Sequence, residues 1–215
     1  MRDTLILFAR APRHGTVKRR LARAVGAAAA LRFHRGQLLS LARGLGRDRR
    51  WRTVLAVTPD AAAVRGTRWP AGIARHGQGS GDLGTRMGRA LARHRPQAVL
   101  IGSDIPGIGA ADIAAAFRAL RAGAPAVFGP AEDGGYWLVG FGARRPAAPF
   151  AGVRWSTAEA LADTLANFRG ARRPALVRRL RDVDTAADLI AAHRLAGPRV
   201  ARGVEPLIPP DRILL

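Results

Sequence analysis

The 215-residue chain contains no cysteine. That excludes disulfides, a thiolate metal site and a cysteine nucleophile. Aromatic residues make up only 6% of it, with a single tyrosine, too few to interleave as a base-stacking platform for single-stranded nucleic acid. Long hydrophobic runs are missing as well, and no stretch approaches the roughly 20 apolar residues that a membrane span needs. The N-terminus runs Met1-Arg2-Asp3 straight into a short apolar run, Thr4 to Ala9, so no secretory leader is expected and a cytoplasmic location is. No Gly-x-Ser-x-Gly elbow is present, which argues against the common hydrolase classes. His14, His34, His76, His94 and His193 show no metal-ligand spacing.

Negative charge is also scarce. Fifteen acidic residues face 36 basic ones, for a formal charge of +21. Such a balance ordinarily points to nucleic acid or an anionic surface. Here the arginines are spread along the whole chain, and an Arg-, Ala- and Gly-rich composition is also what a GC-rich coding sequence produces. A non-catalytic, basic nucleic-acid-binding protein is therefore the third alternative for function, and no specific nucleic-acid partner is expected. Lysine is nearly absent too: Lys18 is the only one. Wherever a positive charge merely has to be solvated, this chain uses arginine, so a site that keeps a compact, rotatable ammonium points to a need for that shape.

Apolar patterning gives an α/β alternation. Thr4 to Ala9 and Thr53 to Val57 are continuous apolar runs, as expected of strands buried on both faces. Val17, Leu21 and Val25 have helical spacing, Gly26 interrupts it, and a second helix resumes through Leu31, Leu38, Leu41 and Leu45. Residues 61–77 are weakly patterned, with a short strand around Ile73. A helix carries Leu83, Met87, Ala90 and Leu91, and Ala98 to Ile101 reads as a central strand. Further helices are predicted over 110–122, near 157–168 and from Asp184 to about Leu195, with strands at Ala126 to Phe128 and Tyr136 to Gly140. Residues 143–152 read as a loop, and 172–181 as an Arg-rich stretch. The organisation expected is one domain over residues 1–195, followed by a proline-rich tail over 196–215. Strands alternating with helices imply a mostly parallel sheet with helices on both faces, whose ligands sit beyond the carboxyl ends of the strands.

Three unusual loops, at 10–18, 102–107 and 129–135, each follow a strand and should share that rim. In the first, Arg13, Gly15 and Lys18 lie just before a helix, where free backbone N–H groups and two cations favour a phosphate. In the others, Asp104 and Asp133 are carboxylates able to hold Mg²⁺ or Mn²⁺ against a diphosphate, since hard cations take oxygen ligands. Each has a plainer reading as a turn residue, Asp104 before proline and Asp133 in an Asp-Gly hairpin turn. Asp82, in the glycine-rich loop 78–84, is either a helix N-cap or a ligand for a base or sugar.

The loop Phe8 to Lys18, Arg20-Leu21-Ala22, Gln78 with Gly81 to Gly84, and Arg86-Met87 occur in order with Ile101 to Gly107, Gly129 to Tyr136, Trp155 to Thr157 and Asp182 to Thr185. Together they resemble the GT-A-like family of small bacterial transferases named as glycosyltransferases associated with arsenosugar biosynthesis. More distantly the chain resembles 2-phospho-L-lactate guanylyltransferase and the molybdenum-cofactor nucleotidyltransferases. The resemblance implies a GT-A, nucleotide-diphospho-sugar transferase fold, a phosphate-binding first loop and a divalent cation near Asp104. It also brings Gln78 and Asp82 into the nucleotide-binding set with Arg13, Gly15 and Lys18. Arg19 stands where the family usually has threonine, so a hydroxyl is missing there. The expected activity is metal-dependent transfer from a nucleotide-diphospho-sugar to a small acceptor, with Asp104 and Asp133 catalytic. The alternative is nucleotidyl transfer from an NTP to a phosphorylated acceptor.

Overall fold

The computed structural model describes residues 2–65, 69–170 and 173–181. Its centre is a seven-stranded sheet built from β1 (Thr4–Arg10), β2 (Arg52–Thr58), β3 (Ala74–Gly77), β4 (Ala98–Gly102), β5 (Ala126–Pro130), β6 (Tyr136–Phe141) and β7 (Ala175–Leu176). The spatial order is β3-β2-β1-β4-β6-β5-β7. Both pairings of β6, with β4 and with β5, are antiparallel, while β1 with β2 and β4, β2 with β3, and β5 with β7 are parallel. Only β6 therefore runs against the rest. The connection from β5 to β6, residues 131–135, is too short for the crossover of a dozen or more residues that a parallel pair requires.

Alternation along the strands divides two cores. Leu5 and Leu7 of β1, Leu55 and Val57 of β2, and Val99 and Ile101 of β4 bury one face. They pack against Leu38, Leu41 and Leu45 of α2 (Ala27–Gly46) and Ile113, Phe117 and Leu120 of α4 (Ala110–Arg121). Ile6, Val54, Leu100 and Val139 face the other way, onto Met87 and Leu91 of α3 (Leu83–Ala92) and toward Leu161 and Leu165 of α5 (Ala160–Ala166). Each such buried aliphatic side chain stabilises the fold by about 1.5–3 kcal/mol relative to exposure. A sheet covered on both faces cannot alternate polar with apolar, and this accounts for the unbroken runs in the sequence.

The helical segment before α2 is short. Helix α1 covers only Arg19–Val25, and Gly26 at φ 85° separates it from α2, a left-handed-region backbone that glycine tolerates at low cost. The strand expected around Ile73 is found as β3, beginning one residue later. Residues 143–152 form turns without a strand or helix. The helix near 157–168 reduces to the seven residues of α5, and the Arg-rich stretch contributes the two-residue β7. The helix expected from Asp184 and the tail from 196 lie outside the described residues. Among the described residues, no helix is long and apolar enough to cross a membrane.

Candidate functional site

The carboxyl end of β4 positions Asp104. Ile101 is fully buried, Gly102 ends the strand and Ser103 is buried beside it, so the next side chain emerges at the rim. Half of the Asp104 side chain (49%) is exposed. Its oxygens meet two nearly buried bases. The Lys18 ammonium, 4% exposed, lies 3.3 Å from Oδ2, and His34 Nδ1, on a ring 3% exposed, lies 3.5 Å from Oδ1. The Ser103 hydroxyl donates to Oδ1 at 3.4 Å. Desolvation alone would raise the Asp104 pKa, but the His34 ring and the Lys18 charge outweigh it and hold the carboxyl well below the usual range. Asp104 is thus ionised at every physiological pH.

Lys18 reaches this position through an unusual backbone. It caps α1 in the left-handed region, at φ 47° and ψ 50°, a conformation costing a non-glycine residue about 1–2 kcal/mol. The turn leading to it is closed by Thr16, whose amide and hydroxyl both donate to the Arg13 carbonyl, at 3.3 and 3.0 Å. Arg13, His14 and Gly15 (φ 73°) project into solvent at its tip. His34 comes from α2 and anchors the arrangement to the sheet, its Nε2 donating to the Arg10 carbonyl at 3.0 Å. The two oxygens that ring approaches, of the Arg10 carbonyl and the Asp104 carboxylate, lie at the ends of neighbouring strands, β1 and β4.

The second rim loop brings Asp133 to the same cavity. Asp133 is exposed and accepts from the Gly135 amide at 2.9 Å, a local turn that leaves its other oxygen open. The cavity itself, about 370 Å³, lies between the rim and the 155–160 segment and touches Asp104, Asp133, Arg10 and Trp155. Arg13, Gly15, Lys18, Gln78 and Asp82 are not among its lining residues, although Asp82 reaches Trp155, which is. Gln78 is 1% exposed, and its amide donates to the Ala9 and Ala56 carbonyls while its Oε1 accepts from Arg86 at 2.8 Å. Its polar atoms are therefore engaged in holding Arg86. Asp82 caps α3, accepting from the Thr85 amide at 2.8 Å; its pKa is lowered first by the Thr85 side chain and then by that amide. Arg19, on the far side of Lys18, is exposed.

Two residues of the site carry no signal in the sequence, and a third, Trp155, stands out there only as part of the motif Trp155 to Thr157. His34 is one of five scattered histidines, and its partners Arg10 and Asp104 are remote in the chain. Asp60, just beyond β2, accepts from the Gly79 amide at 3.0 Å and fixes the glycine-rich loop. Trp155 packs so closely on α3 that a Cβ at Gly84 would lie 2.7 Å from its Cζ2. That glycine-to-indole approach is visible only once the fold is known.

Among the described residues no group of three or more His, Cys, Asp or Glu side chains converges as a metal site. The chain offers one or two carboxylates, Asp104 and Asp133. That donor set fits a magnesium-type cation, which keeps waters and takes the remaining oxygens from substrate phosphates.

A family model described as "Uncharacterized protein conserved in bacteria (DUF2064)" matches residues 41–157. No curated protein matches the chain by sequence. Among solved structures, a Desulfovibrio desulfuricans protein named as a candidate nucleotide-diphospho-sugar transferase superposes with a TM-score of 0.84 at 28% identity, covering 95% of this chain and 94% of that one. The 4-diphosphocytidyl-2C-methyl-D-erythritol synthase of Anaerococcus prevotii shares the fold, with a TM-score of 0.57 at 13% identity over 91% of this chain and 96% of that one. So does Rv0371c from Mycobacterium tuberculosis, solved with manganese, at a TM-score of 0.50 and 19% identity over 91% and 97% of the two chains. The fold is the one shared by nucleotide-diphospho-sugar transferases and nucleotidyltransferases.

Proposed function

The chain belongs to the DUF2064 family, and on that footing we propose that it is a metal-dependent transferase acting on a nucleotide-diphospho-sugar. The observation that supports this most is the ionised Asp104 at a strand end, paired with the single lysine and opening onto a cavity. The full-length likeness to a candidate nucleotide-diphospho-sugar transferase and the manganese held by a protein of the same fold agree with it. A cation bound by Asp104, with Asp133 as a second ligand, would offset the charge that develops on the departing diphosphate.

In this reading Lys18 and Arg13 hold the phosphates, Lys18 as a compact charge from inside the rim and Arg13 from the exposed turn. Gln78 and Asp82 shape the adjoining wall where the base would lie, Gln78 through Arg86. The acceptor oxygen forms a bond to the anomeric carbon as the carbon–oxygen bond to the diphosphate breaks. The electron pair leaves with the nucleoside diphosphate, and the acceptor proton passes to the Asp133 carboxylate or to solvent. A nucleotide donor is drawn from the cytoplasm, which is where the protein would work.

Nucleotidyl transfer is the second reading, favoured by the exposed basic turn 13–16 beside Lys18, which would accommodate a triphosphate. The two readings leave different products. With a panel of nucleotide-sugars, NTPs and Mg²⁺, slow transfer to water should release nucleoside diphosphate and free sugar from one donor. Pyrophosphate from an NTP would establish the second reading, and failure of every nucleotide to bind would sink both.

A further inference from the structure

The pole of the sheet opposite the Asp104 rim, where the parallel strands begin, holds a second concave space of about 530 Å³. It lies at the amino ends of β1, β2 and β4, where Thr4 is level with Arg52 on one side and Ala98 on the other. Five arginines line it, and they come from separate parts of the chain. Arg2 precedes β1, Arg47 and Arg49 lie between α2 and β2, Arg52 opens β2, and Arg95 precedes β4. One acid, Asp48, also lines it, and that carboxylate is already held by Arg50 at 2.6 Å.

Arginine is spread along the whole chain, so its state of pairing matters more than its presence. Elsewhere Arg121 meets Asp3, Arg154 meets Asp163 and Arg178 meets Asp112, at 2.5–2.9 Å. None of the five lining arginines forms an ion pair among the described residues. Arg52 is held by His94 Nδ1 and Arg95 by the Ala143 carbonyl, which fixes two of the guanidinium forks. Arg2, Arg47 and Arg49 are exposed and have no side-chain hydrogen-bond partner among the described residues. The stretches of chain leading to Arg2 and toward Gly72, Met1 and Gly66-Thr67-Arg68, carry no acid.

Closing the end of α2 does not account for these cations. The Leu45 carbonyl accepts from Trp51 Nε1 at 3.0 Å and from the Thr53 hydroxyl at 3.2 Å, so that helix end is bonded from the core side. Guanidinium groups gathered without counter-charge repel one another and oppose the compact state. His94 registers the field: after desolvation and His76, the charges of Arg52, Arg93 and Arg145 lower its pKa. A ligand that offsets several of these charges at once relieves the repulsion. Guanidinium forks match phosphate oxygens bidentately. One phosphate carries about −1.5 to −2 charges, so two linked phosphates are the least that nearly balance five arginines.

We infer that this space is a second anion site, for a small molecule bearing at least two phosphate groups, bound through arginine and without a metal ion. It contains neither Asp104 nor Lys18 and lies at the other ends of the strands. It therefore stands apart from the rim, and it holds whether or not the rim transfers a sugar.

Inorganic pyrophosphate, titrated by calorimetry into the full chain in EDTA at physiological salt, is the probe, with orthophosphate as the single-phosphate comparison. The acids of residues 182–215 are then present during the titration. Pyrophosphate should fill one saturable site, and orthophosphate should bind at least tenfold more weakly. Arg47→Gln combined with Arg49→Gln should weaken pyrophosphate at least tenfold. Arg2→Gln, outside every helix and strand, should weaken it at least threefold and serves if the double variant does not fold by circular dichroism. Lys18→Ala at the rim, and Arg23→Gln with Arg32→Gln on the exposed faces of α1 and α2, should each leave the affinity within twofold. A loss in Lys18→Ala matching that in the lining variants would place the pyrophosphate at the rim and overturn the inference. An equal loss in the Arg23 and Arg32 pair would reduce it to diffuse attraction. Absence of a saturable site, or orthophosphate binding as tightly as pyrophosphate, would overturn it as well.

Discussion

Asp104 stays charged because two bases hold it, and removing its charge should be felt by a metal more than by the fold. Asp104→Asn keeps the shape of the side chain at a half-exposed position. The expected outcome is at least a tenfold loss of Mg²⁺-dependent nucleotide affinity by calorimetry, with a melting temperature changed by only a few degrees. Lys18 is predicted to read phosphate. Lys18→Ala should weaken a nucleoside diphosphate markedly and leave the bare nucleoside nearly unaffected, whereas an equal loss for both would assign the lysine to packing. Lys18 and Asp104 stand out in the sequence for opposite reasons, one as the only lysine and the other as an acid closing an apolar strand, and the structure finds them in contact. His34 does not stand out, because its importance comes from neighbours at the ends of two different strands. Composition and spacing carry no trace of that meeting.

At the scale of elements, the strands were legible wherever burial on both faces leaves an unbroken apolar run, as in β1, β2 and β4. The reversal of β6 was less so. An alternating pattern implies parallel strands, while the Asp133-Gly134 turn and the five-residue connection signal a hairpin; the short connection decides. The ends of α5 and β7 follow from tertiary packing, which overrides weak local preference. Packing also sets the cost of disturbing these layers. Phe117 of α4 is 1% exposed against the sheet and contacts Trp51, so Phe117→Ala should destabilise the protein by about 3–5 kcal/mol in denaturant unfolding.

A second consequence concerns the join of β2, β3 and α3. Arg52 donates to His94 Nδ1 at 3.3 Å, and His94 Nε2 meets His76 Nε2 at 3.4 Å. Since arginine only donates, His94 must accept at Nδ1 and donate from Nε2, as a neutral ring. Desolvation first, and then the charges of His76 and the neighbouring arginines, lower the His94 pKa to about 4. The unfolded chain would protonate this histidine near 6.5. A lowered histidine pKa means the unfolded state binds the extra proton first, so stability is full above about pH 6.5 and declines as pH falls toward 4. The melting temperature should therefore drop across that window, and His94→Gln should flatten the slope. An unchanged slope in that variant would remove His94 from the account.

The whole molecule carries its +21 charge as scattered arginine. Such a surface should attract duplex DNA weakly, without sequence preference, and with an affinity that falls steeply as salt rises, because counterion release drives it. Nucleotide binding at the rim should fall less between low and physiological salt, since metal coordination and base contacts add to it. A paired salt titration compares the two, and tight, sequence-selective DNA binding at physiological salt would favour a nucleic-acid-binding role instead. The account's central claim is that Asp104 is the point where metal and nucleotide-sugar meet. Its most direct test is calorimetric titration of nucleotide-sugars into the protein with and without Mg²⁺, for the unaltered chain and for Asp104→Asn. The account predicts that at least one nucleotide-sugar binds more tightly with Mg²⁺, and that this metal-dependent gain disappears in the variant. A gain that survives unchanged in a folded Asp104→Asn protein would contradict it.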